Sequence, residues 1–476
     1  MKRALLVCGV LGLAACGGKT PAEPDAPAVE VDAPARGDIL DELKAVPGVS
    51  NVEERETIVE GYRFFTFAYE QPVDHKAPGG AVFAQRMTLM HRDYAAPVVA
   101  HNSGYHVSTR GSRSSATIVT NGNQLSMEHR FFTPSRPEPA DWDTLTIEQA
   151  ANDQHRITQA LKAHLYRGNK WLDTGASKGG MTSLFHRRFF PDDVDGTVAF
   201  VAPFDYPEDA VQSPTNRYIV FLENVGTSAS CRQRLKDFQN LVLARREAMK
   251  TRMRAAATFG QVLDEDRALE FAVEETPFIF WQYGSQQDCA SIPAASATDG
   301  AVFQFLDNVV DIASYGDDDL TAFLPYYHQS ATQLGYPISD ESYLVGLLHP
   351  GEDTAEAYVP AAIPRRPYDE GAAMTDVQAW IATSGSQILL IYGQNDPWTA
   401  GAVDLGAAAD SFKLIAPRGN HGSTIGSLAQ GDQAIALSAV RRWAGLGEKP
   451  NNAPAFDPAE RTLEQEEFAE RRRRRR

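Results

Sequence analysis

The sequence predicts an α/β fold in which a mostly parallel central sheet is interrupted by an inserted, mainly helical cap. In the segments 96–202 and 387–443, short apolar runs alternate with helical patterns, as in a parallel sheet covered by helices. Between residues 206 and 374 this alternation stops, and apolar residues recur mainly at helical spacing. The chain has 476 residues and is 43% hydrophobic, so it can bury a large core.

The first residues have the pattern of an export signal. Lys2 and Arg3 precede an apolar stretch at 4–15 that is too short to span a bilayer. The sequence L-A-A-C at 13–16 resembles a bacterial lipobox, which predicts a signal peptide over 1–16 and a lipid anchor on Cys16. An ordinary secretory signal with an incidental cysteine is the alternative. The lipobox interpretation predicts an exported lipoprotein at the periplasmic or cell-surface face of a membrane, attached by lipid alone.

Two segments without apolar periodicity flank the predicted core. Residues 17–38 are rich in Pro, Ala and acidic residues and predict a disordered linker, and the highly charged residues 451–476 predict a disordered tail. The core is then expected over 39–205 and 375–450, with the cap at 206–374. Cys231 and Cys289 are an even pair in an oxidising compartment, which predicts a disulfide; two buried free thiols are the alternative.

The individual elements follow from hydrophobic patterning. Strands are predicted at 62–67, 83–91, 96–101 and 125–132, and a capping box at 146–149 begins a helix that extends to 164. Strands at 170–174 and 197–202 flank a helix that begins at Ser177 and ends before Pro191. After the cap, strands are predicted at 377–382, 387–392 and 412–416, followed by a helix at 430–443.

Residues 175–179 have the sequence G-A-S-K-G between a predicted strand and a predicted helix, which is the context that a nucleophile elbow requires. Ser177 is therefore the predicted nucleophile, and the backbone N–H of Lys178 at the helix start is a predicted oxyanion donor. A second oxyanion donor is expected in the loop after the strand at 96–101, from the backbone of Gly104 or Tyr105.

A serine hydroxyl needs a base and an acid that orients the base, in the chain order nucleophile, acid, histidine. Asp396 lies just past an apolar strand and is the predicted acid, although a structural carboxylate in a proline turn is the alternative. His421 lies between small residues after the next strand and is the predicted base, with His349 as its nearest rival. The three residues indicate a serine hydrolase of the α/β-hydrolase class.

Several motifs together resemble the tripeptidyl aminopeptidase family of serine peptidases, which is similar in plan to the lysosomal prolyl carboxypeptidases and dipeptidyl peptidases. The motifs are Q-P-V-D-H at 71–75, F-A-Q-R at 83–86, E-H-R-F at 128–131, G-A-S-K-G-G-M at 175–181, N-D-P-W at 395–398 and G-N-H-G at 419–422. The resemblance implies an α/β-hydrolase core with a helical cap and the triad Ser177, Asp396 and His421. It also implies release of tri- or tetrapeptides from free N-termini.

An exopeptidase of this kind needs an anion for the substrate ammonium group. Glu128 and Asp205 are candidates, each with a plain structural carboxylate as the alternative, and Trp398 is expected at the substrate site. The formal net charge of −17 argues against a nucleic-acid partner, and no motif for a metal or a cofactor is present. Two other functions share these features: an esterase or lipase with the same triad, and a binding lipoprotein with a degenerate hydrolase fold.

Overall fold

The structure, a computed structural model, describes residues 36–351, 353–447 and 461–474. The predicted signal peptide, Cys16 and nearly all of the predicted linker lie outside the described residues. Residues from Ile39 onwards form one compact unit. Within the described part of the chain, each helix is too short or too polar to cross a membrane.

The centre of the fold is a nine-stranded sheet with the strand order β1-β2-β3-β5-β4-β6-β7-β8-β9. The first three pairings are antiparallel, and every pairing from β5 to β9 is parallel. The predicted α/β class with a mostly parallel sheet is therefore confirmed. The strands are β1 (Val49–Arg55), β2 (Arg63–Pro72), β3 (Val82–His91), β4 (Val98–Asn102), β5 (Asn123–Met127), β6 (Trp171–Ala176), β7 (Gly196–Phe200), β8 (Ile388–Gly393) and β9 (Phe412–Ala416).

Helices cover both faces of this sheet. Because both of their faces are covered, the inner strands are buried along their length, except for the partly buried Ala176 at the end of β6. At the start of α3, the Thr146 hydroxyl accepts a hydrogen bond from the N–H of Gln149 at 3.2 Å, as its sequence predicts. The helices that accompany the sheet are α1 (Ile39–Lys44), α2 (Ser115–Thr120), α3 (Ile147–His164) and α4 (Lys178–Phe189) before the cap, and α12 (Ala372–Ser384) and α13 (Gln430–Trp443) after it.

Seven helices lie between β7 and α12 and pack around an apolar core of their own. The predicted disulfide between Cys231 and Cys289 is present there, with a Cα–Cα distance of 5.5 Å. It joins residues 58 positions apart, a loop length at which a disulfide contributes about 4 kcal/mol by restricting the unfolded chain. The cap helices are α5 (Arg217–Asn224), α6 (Ala229–Ala244), α7 (Arg246–Met253), α8 (Glu265–Glu274), α9 (Thr276–Tyr283), α10 (Asp299–Val310) and α11 (Asp317–Gln329).

Three predicted segments differ from the structure. The strand expected at 125–132 ends at Met127 as β5, and residues 128–132 are not part of it. The strand expected at 377–382 is part of helix α12, whose buried Met374, Val377 and Ile381 recur at helical spacing. A short apolar run of this kind suits a strand or a buried helix equally, and only its longer context separates them.

The prediction of a disordered tail is wrong for Leu463–Arg474, which form the helix α14. Leu463 is buried there, and its N–H donates to the carbonyl of Arg113 at 2.8 Å, so contacts with the core order a segment whose composition favours disorder.

Candidate active site

Ser177 occupies a sharp turn between β6 and α4. Its φ of 57° lies in the left-handed region, which costs a residue other than glycine about 1–3 kcal/mol. A Cβ on Gly179 would lie 2.1 Å from the carbonyl oxygen of Asn102, and a Cβ on Gly175 would lie 2.5 Å from the Gly179 backbone. Only glycine fits at these two positions, and the turn that they permit presents Ser177 at the carboxyl edge of the sheet.

Asp396 and His421 follow β8 and β9 at the same edge of the sheet. His421 Nδ1 lies 2.7 Å from Asp396 Oδ2, and Asp396 Oδ1 accepts the N–H of Trp398 at 3.2 Å. Both residues are buried, and His421 Nε2 has no hydrogen-bond partner among the described residues. The Ser177 hydroxyl does not reach this nitrogen in the structure. Such contacts are often long without substrate and tighten in the enzyme–substrate complex.

A cavity of about 170 Å³ lies between this edge of the sheet and the cap. The predicted residues Ser177, Lys178, Asp205 and Trp398 line its core side. Aromatic residues of the cap line much of the opposite side; they include Phe278 and Tyr283 of α9 and Phe323, Tyr326 and Tyr327 of α11. The cavity is therefore an aromatic-walled space that is open to the predicted nucleophile.

The loop that carries His421 contacts the cap and the C-terminal helix. The N–H of His421 donates to the carbonyl of Gln282 at 3.1 Å, and Asn420 Nδ2 donates to the carbonyl of Gly284 at 3.1 Å. Phe468 of α14 lies so close to Gly422 that an added Cβ would be 3.1 Å from its ring. The position of this loop, and with it that of the imidazole, thus depends on the cap and on α14.

The predicted oxyanion donors lie side by side. Lys178 is the first residue of α4, where the backbone N–H has no acceptor within the helix, and its Nζ donates to the Gly104 carbonyl at 2.9 Å. The N–H of Tyr105 donates to Ser103 Oγ at 3.1 Å, whereas the N–H of Gly104 makes no hydrogen bond in the described part of the chain. Of the two predicted loop residues, Gly104 is the one whose amide remains for a ligand.

The three predicted substrate-binding residues have different environments. Asp205 lines the cavity, and burial raises its pKa to about 7, although the Tyr218 hydroxyl that donates to it acts in the opposite direction. The ring of Trp398 packs against Phe278 with centroids 4.9 Å apart. Glu128 does not line this cavity; its carboxylate is buried, pairs with Arg86 and accepts the Ser135 hydroxyl at 2.9 Å. The structure therefore assigns Glu128 a structural role and corrects the prediction for this residue.

His349, the rival base, contacts neither Ser177 nor Asp396. Its Nδ1 lies 2.7 Å from Glu270 Oε1 in the cap, and its side chain is 58% exposed. It is not among the residues that line the cavity. Among the described histidines, the geometry therefore favours His421 over His349.

A buried network beneath Ser177 was not predicted. His186 of α4 lies between Asp173 of β6 and Asp193, with each ring nitrogen 2.9 Å from a carboxylate oxygen. Burial alone lowers the pKa of His186, but the two carboxylates outweigh it, so the net shift is upward. Asp173 also accepts from Asn102 Nδ2 at 2.9 Å, which links the network to β4. The sequence offers no signal for it, because a lone histidine on a helix does not reveal its tertiary partners.

Glu275, immediately before α9, was also missed. Its carboxylate lines the cavity and accepts the hydroxyl of Tyr336 at 2.5 Å. Acidic residues at helix starts are common because they interact favourably with the helix dipole, so position alone could not single out this one.

The chain is similar to known proteins over most of its length. A family model described as PS-10 peptidase S37 matches residues 32–471. A relative from Streptomyces mobaraensis named prolyl tri/tetrapeptidyl aminopeptidase is 44% identical over 455 residues, which cover 93% of this chain and 92% of the relative.

Similar solved structures are more distant in sequence. A proline iminopeptidase from Mycobacterium smegmatis is 11% identical with a TM-score of 0.35, and the match covers 79% of this chain and 98% of that one. A peroxisomal alpha-beta-hydrolase from Saccharomyces cerevisiae is 9% identical with a TM-score of 0.35, and the match covers 86% and 95% of the two chains.

Proposed function

Because the chain belongs to the PS-10 peptidase S37 family, we propose that it is a serine exopeptidase that releases short peptides, chiefly tripeptides, from free N-termini. Membership of the family confirms the predicted resemblance and the predicted serine aminopeptidase class, with an α/β-hydrolase fold. It also favours a peptidase over the two alternatives, an esterase or lipase and a non-catalytic binding lipoprotein. The name of the Streptomyces relative supports the peptide length.

In the proposed mechanism, Ser177 attacks the carbonyl carbon of the scissile peptide bond. His421 Nε2 takes the hydroxyl proton as the bond forms and then gives it to the leaving amine. The N-terminal peptide then remains bound to Ser177 as an acyl-enzyme. Asp396 holds the imidazole by its Nδ1 and stabilises the imidazolium. The backbone N–H groups of Lys178 and Gly104 stabilise the oxyanion, and water activated by His421 then hydrolyses the acyl-enzyme.

The observation that carries this proposal is the contact of 2.7 Å between His421 Nδ1 and Asp396 Oδ2. It leaves Nε2 buried, without a partner, at the edge of the sheet where Ser177 opens into the cavity. An imidazole oriented in this way by a carboxylate is the arrangement that activates a serine hydroxyl.

A fluorophosphonate probe tests the nucleophile directly. Wild-type protein should be labelled on Ser177. Ser177→Ala should not be labelled, and its remaining activity should be several powers of ten below that of wild type. Ser230→Ala, which changes a surface serine of the cap, is the matched control and should behave as wild type. Folded wild-type protein that is not labelled would exclude the proposed mechanism.

Chromogenic substrates test the proposed specificity. A tripeptide p-nitroanilide with a free N-terminus should be hydrolysed much faster than its N-acetylated form. Rapid turnover of long acyl esters, with no release from the free tripeptide, would instead identify an esterase.

We further propose that the protein is exported and attached to a membrane by a lipid on Cys16. The disulfide between Cys231 and Cys289 supports export, because such bonds persist in oxidising compartments. Cys16→Ser should move the protein from the membrane fraction to the soluble exported fraction. Membrane attachment that survives this change would contradict the lipid anchor.

A further inference from the structure

Glu275 places a carboxylate in the cavity that contains Ser177. Tyr336 donates its hydroxyl to Oε1 at 2.5 Å, and Tyr315 donates to Oε2. The hydroxyl of Tyr358 lies 3.4 Å from Oε1, but its closer acceptor is Asp353 Oδ1 at 2.8 Å. These neutral donors fix the orientation of the carboxylate without neutralising its charge.

The basic side chains near the cavity bind groups other than Glu275. Lys178 is the basic residue among those that line the cavity, and its Nζ donates to the Gly104 carbonyl at 2.9 Å. Arg217 lies 4.0 Å from Asp205 and bonds more closely to Asp209. No lysine, arginine or histidine in the described part of the chain forms an ion pair with Glu275. An anion in such a cavity favours a cationic ligand group.

The helix α9 connects Glu275 with the loop of His421. Glu275 immediately precedes the helix, and Gln282, seven residues later, accepts the N–H of His421 at 3.1 Å. Seven residues of α-helix rise about 10 Å. Three residues of extended peptide also span about 10 Å. A substrate that lies along α9 therefore reaches from Glu275 to the region of the predicted base with three residues.

We propose that Glu275 binds the α-ammonium group of the substrate and that its separation from His421 along α9 selects the third peptide bond for cleavage. This inference rests on the proposed function, because it assigns the amine-binding group of the same site. A dipeptide would place its ammonium short of Glu275, and an N-acetyl group would remove the charge that Glu275 binds.

The test compares wild type with Glu275→Gln on p-nitroanilides of a free dipeptide, a free tripeptide, a free tetrapeptide and an N-acetylated tripeptide. In the variant, kcat/KM for the free tripeptide should fall about 10- to 100-fold, mainly through KM, because a charge-assisted hydrogen bond is lost. Hydrolysis of the N-acetylated substrate should not change, and the preference for three residues should weaken.

Glu274→Gln is the matched control. Burial and repulsion from Glu341 raise the pKa of Glu274, and this neighbouring side chain is not among those that line the cavity. Its replacement should leave discrimination against the N-acetylated substrate unchanged. Asp319→Asn changes another acid that lines the cavity and should also retain this discrimination. If Asp319→Asn abolishes the discrimination and Glu275→Gln retains it, the inference is overturned.

Fluorophosphonate labelling separates failure of the inference from failure of the proposed function. If Glu275→Gln is labelled normally and discriminates against the N-acetylated tripeptide as well as wild type does, the role of Glu275 is overturned while the proposed function stands. If Glu275→Gln does not fold, Tyr336→Phe decides, because it removes one donor and keeps the ring. Tyr336→Phe should weaken the discrimination in the same direction, and unchanged discrimination would overturn the inference.

Discussion

The backbone N–H of His421 donates to the backbone carbonyl of Gln282 at 3.1 Å, so the loop of the proposed base is bonded directly to the cap. Gln282 also lines the cavity next to Ser177. A substrate that contacts this part of α9 therefore contacts the element that positions the imidazole. This arrangement gives substrate binding a physical means of bringing the Ser177 hydroxyl and His421 Nε2 together.

We expect Asp396→Asn to lower kcat by about 10⁴-fold with little effect on folding. The amide can still accept the N–H of Trp398 through its oxygen, but the group that faces His421 Nδ1 becomes a donor and favours the wrong tautomer. Steady-state kinetics on a free tripeptide p-nitroanilide would measure the loss. Asp404→Asn, which changes an exposed carboxylate after the same strand, should keep wild-type rates. A loss of less than tenfold in Asp396→Asn would contradict the proposed role of Asp396.

Gly179→Ala should destabilise the protein by about 3 kcal/mol or more and reduce labelling of Ser177. The new Cβ would lie 2.1 Å from the backbone oxygen of Asn102, where no flexible side chain can move aside. Urea unfolding would measure the change in free energy. Gly79→Ala is the control, because no atom lies within 4 Å of the added Cβ. Equal stability of the two variants would show that the turn tolerates a side chain.

Sequence patterning located most strands of the sheet and the three proposed catalytic residues because these depend on local signals. The helices Ile147–His164 and Gln430–Trp443 were predicted with the bounds that the structure has, since their apolar periodicity is long. Ser177, Asp396 and His421 could be identified because each follows a recognisable strand. Glu275 and His186 could not, since the partners that define their environments are brought together only by the tertiary fold.

Asp205 should lower the stability of the protein as the pH rises. Burial raises its pKa to about 7, so the folded state retains a proton that the unfolded chain releases near pH 4. The free energy of unfolding should therefore fall between about pH 4 and pH 7. Asp205→Asn cannot lose this proton, so its stability relative to wild type should increase over that range and level off above pH 7. Urea unfolding across the range would measure this.

The exposed Asp237→Asn is the control for Asp205→Asn and should follow wild type at every pH. A constant difference between Asp205→Asn and wild type from pH 4 to pH 8 would contradict the raised pKa.

The stability contribution of His186 should also depend on pH, but this group is a base and its contribution changes at higher pH than that of Asp205. Burial lowers its pKa, but hydrogen bonds to Asp173 and Asp193 more than compensate, so the folded pKa lies above the ordinary value near 6.5. A raised pKa in a base means that its stabilising contribution is fully present below pH 6.5 and is lost as the pH rises through the folded pKa. His186→Gln leaves two buried carboxylates without their cation and should cost about 3–5 kcal/mol at pH 6.

The difference in free energy of unfolding between wild type and His186→Gln should then shrink as the pH rises above 6.5, because neutral His186 no longer pairs with the carboxylates as a cation. Urea unfolding from pH 6 to pH 9 measures it. His155→Gln is the comparison. Among the described residues, His155 pairs with one carboxylate, that of Asp193 at 2.7 Å, and its side chain is 34% exposed, so its loss should cost less. Parallel stability curves for wild type and His186→Gln would mean that the pKa of His186 is the same in the folded and unfolded protein, which would contradict the upward shift caused by Asp173 and Asp193.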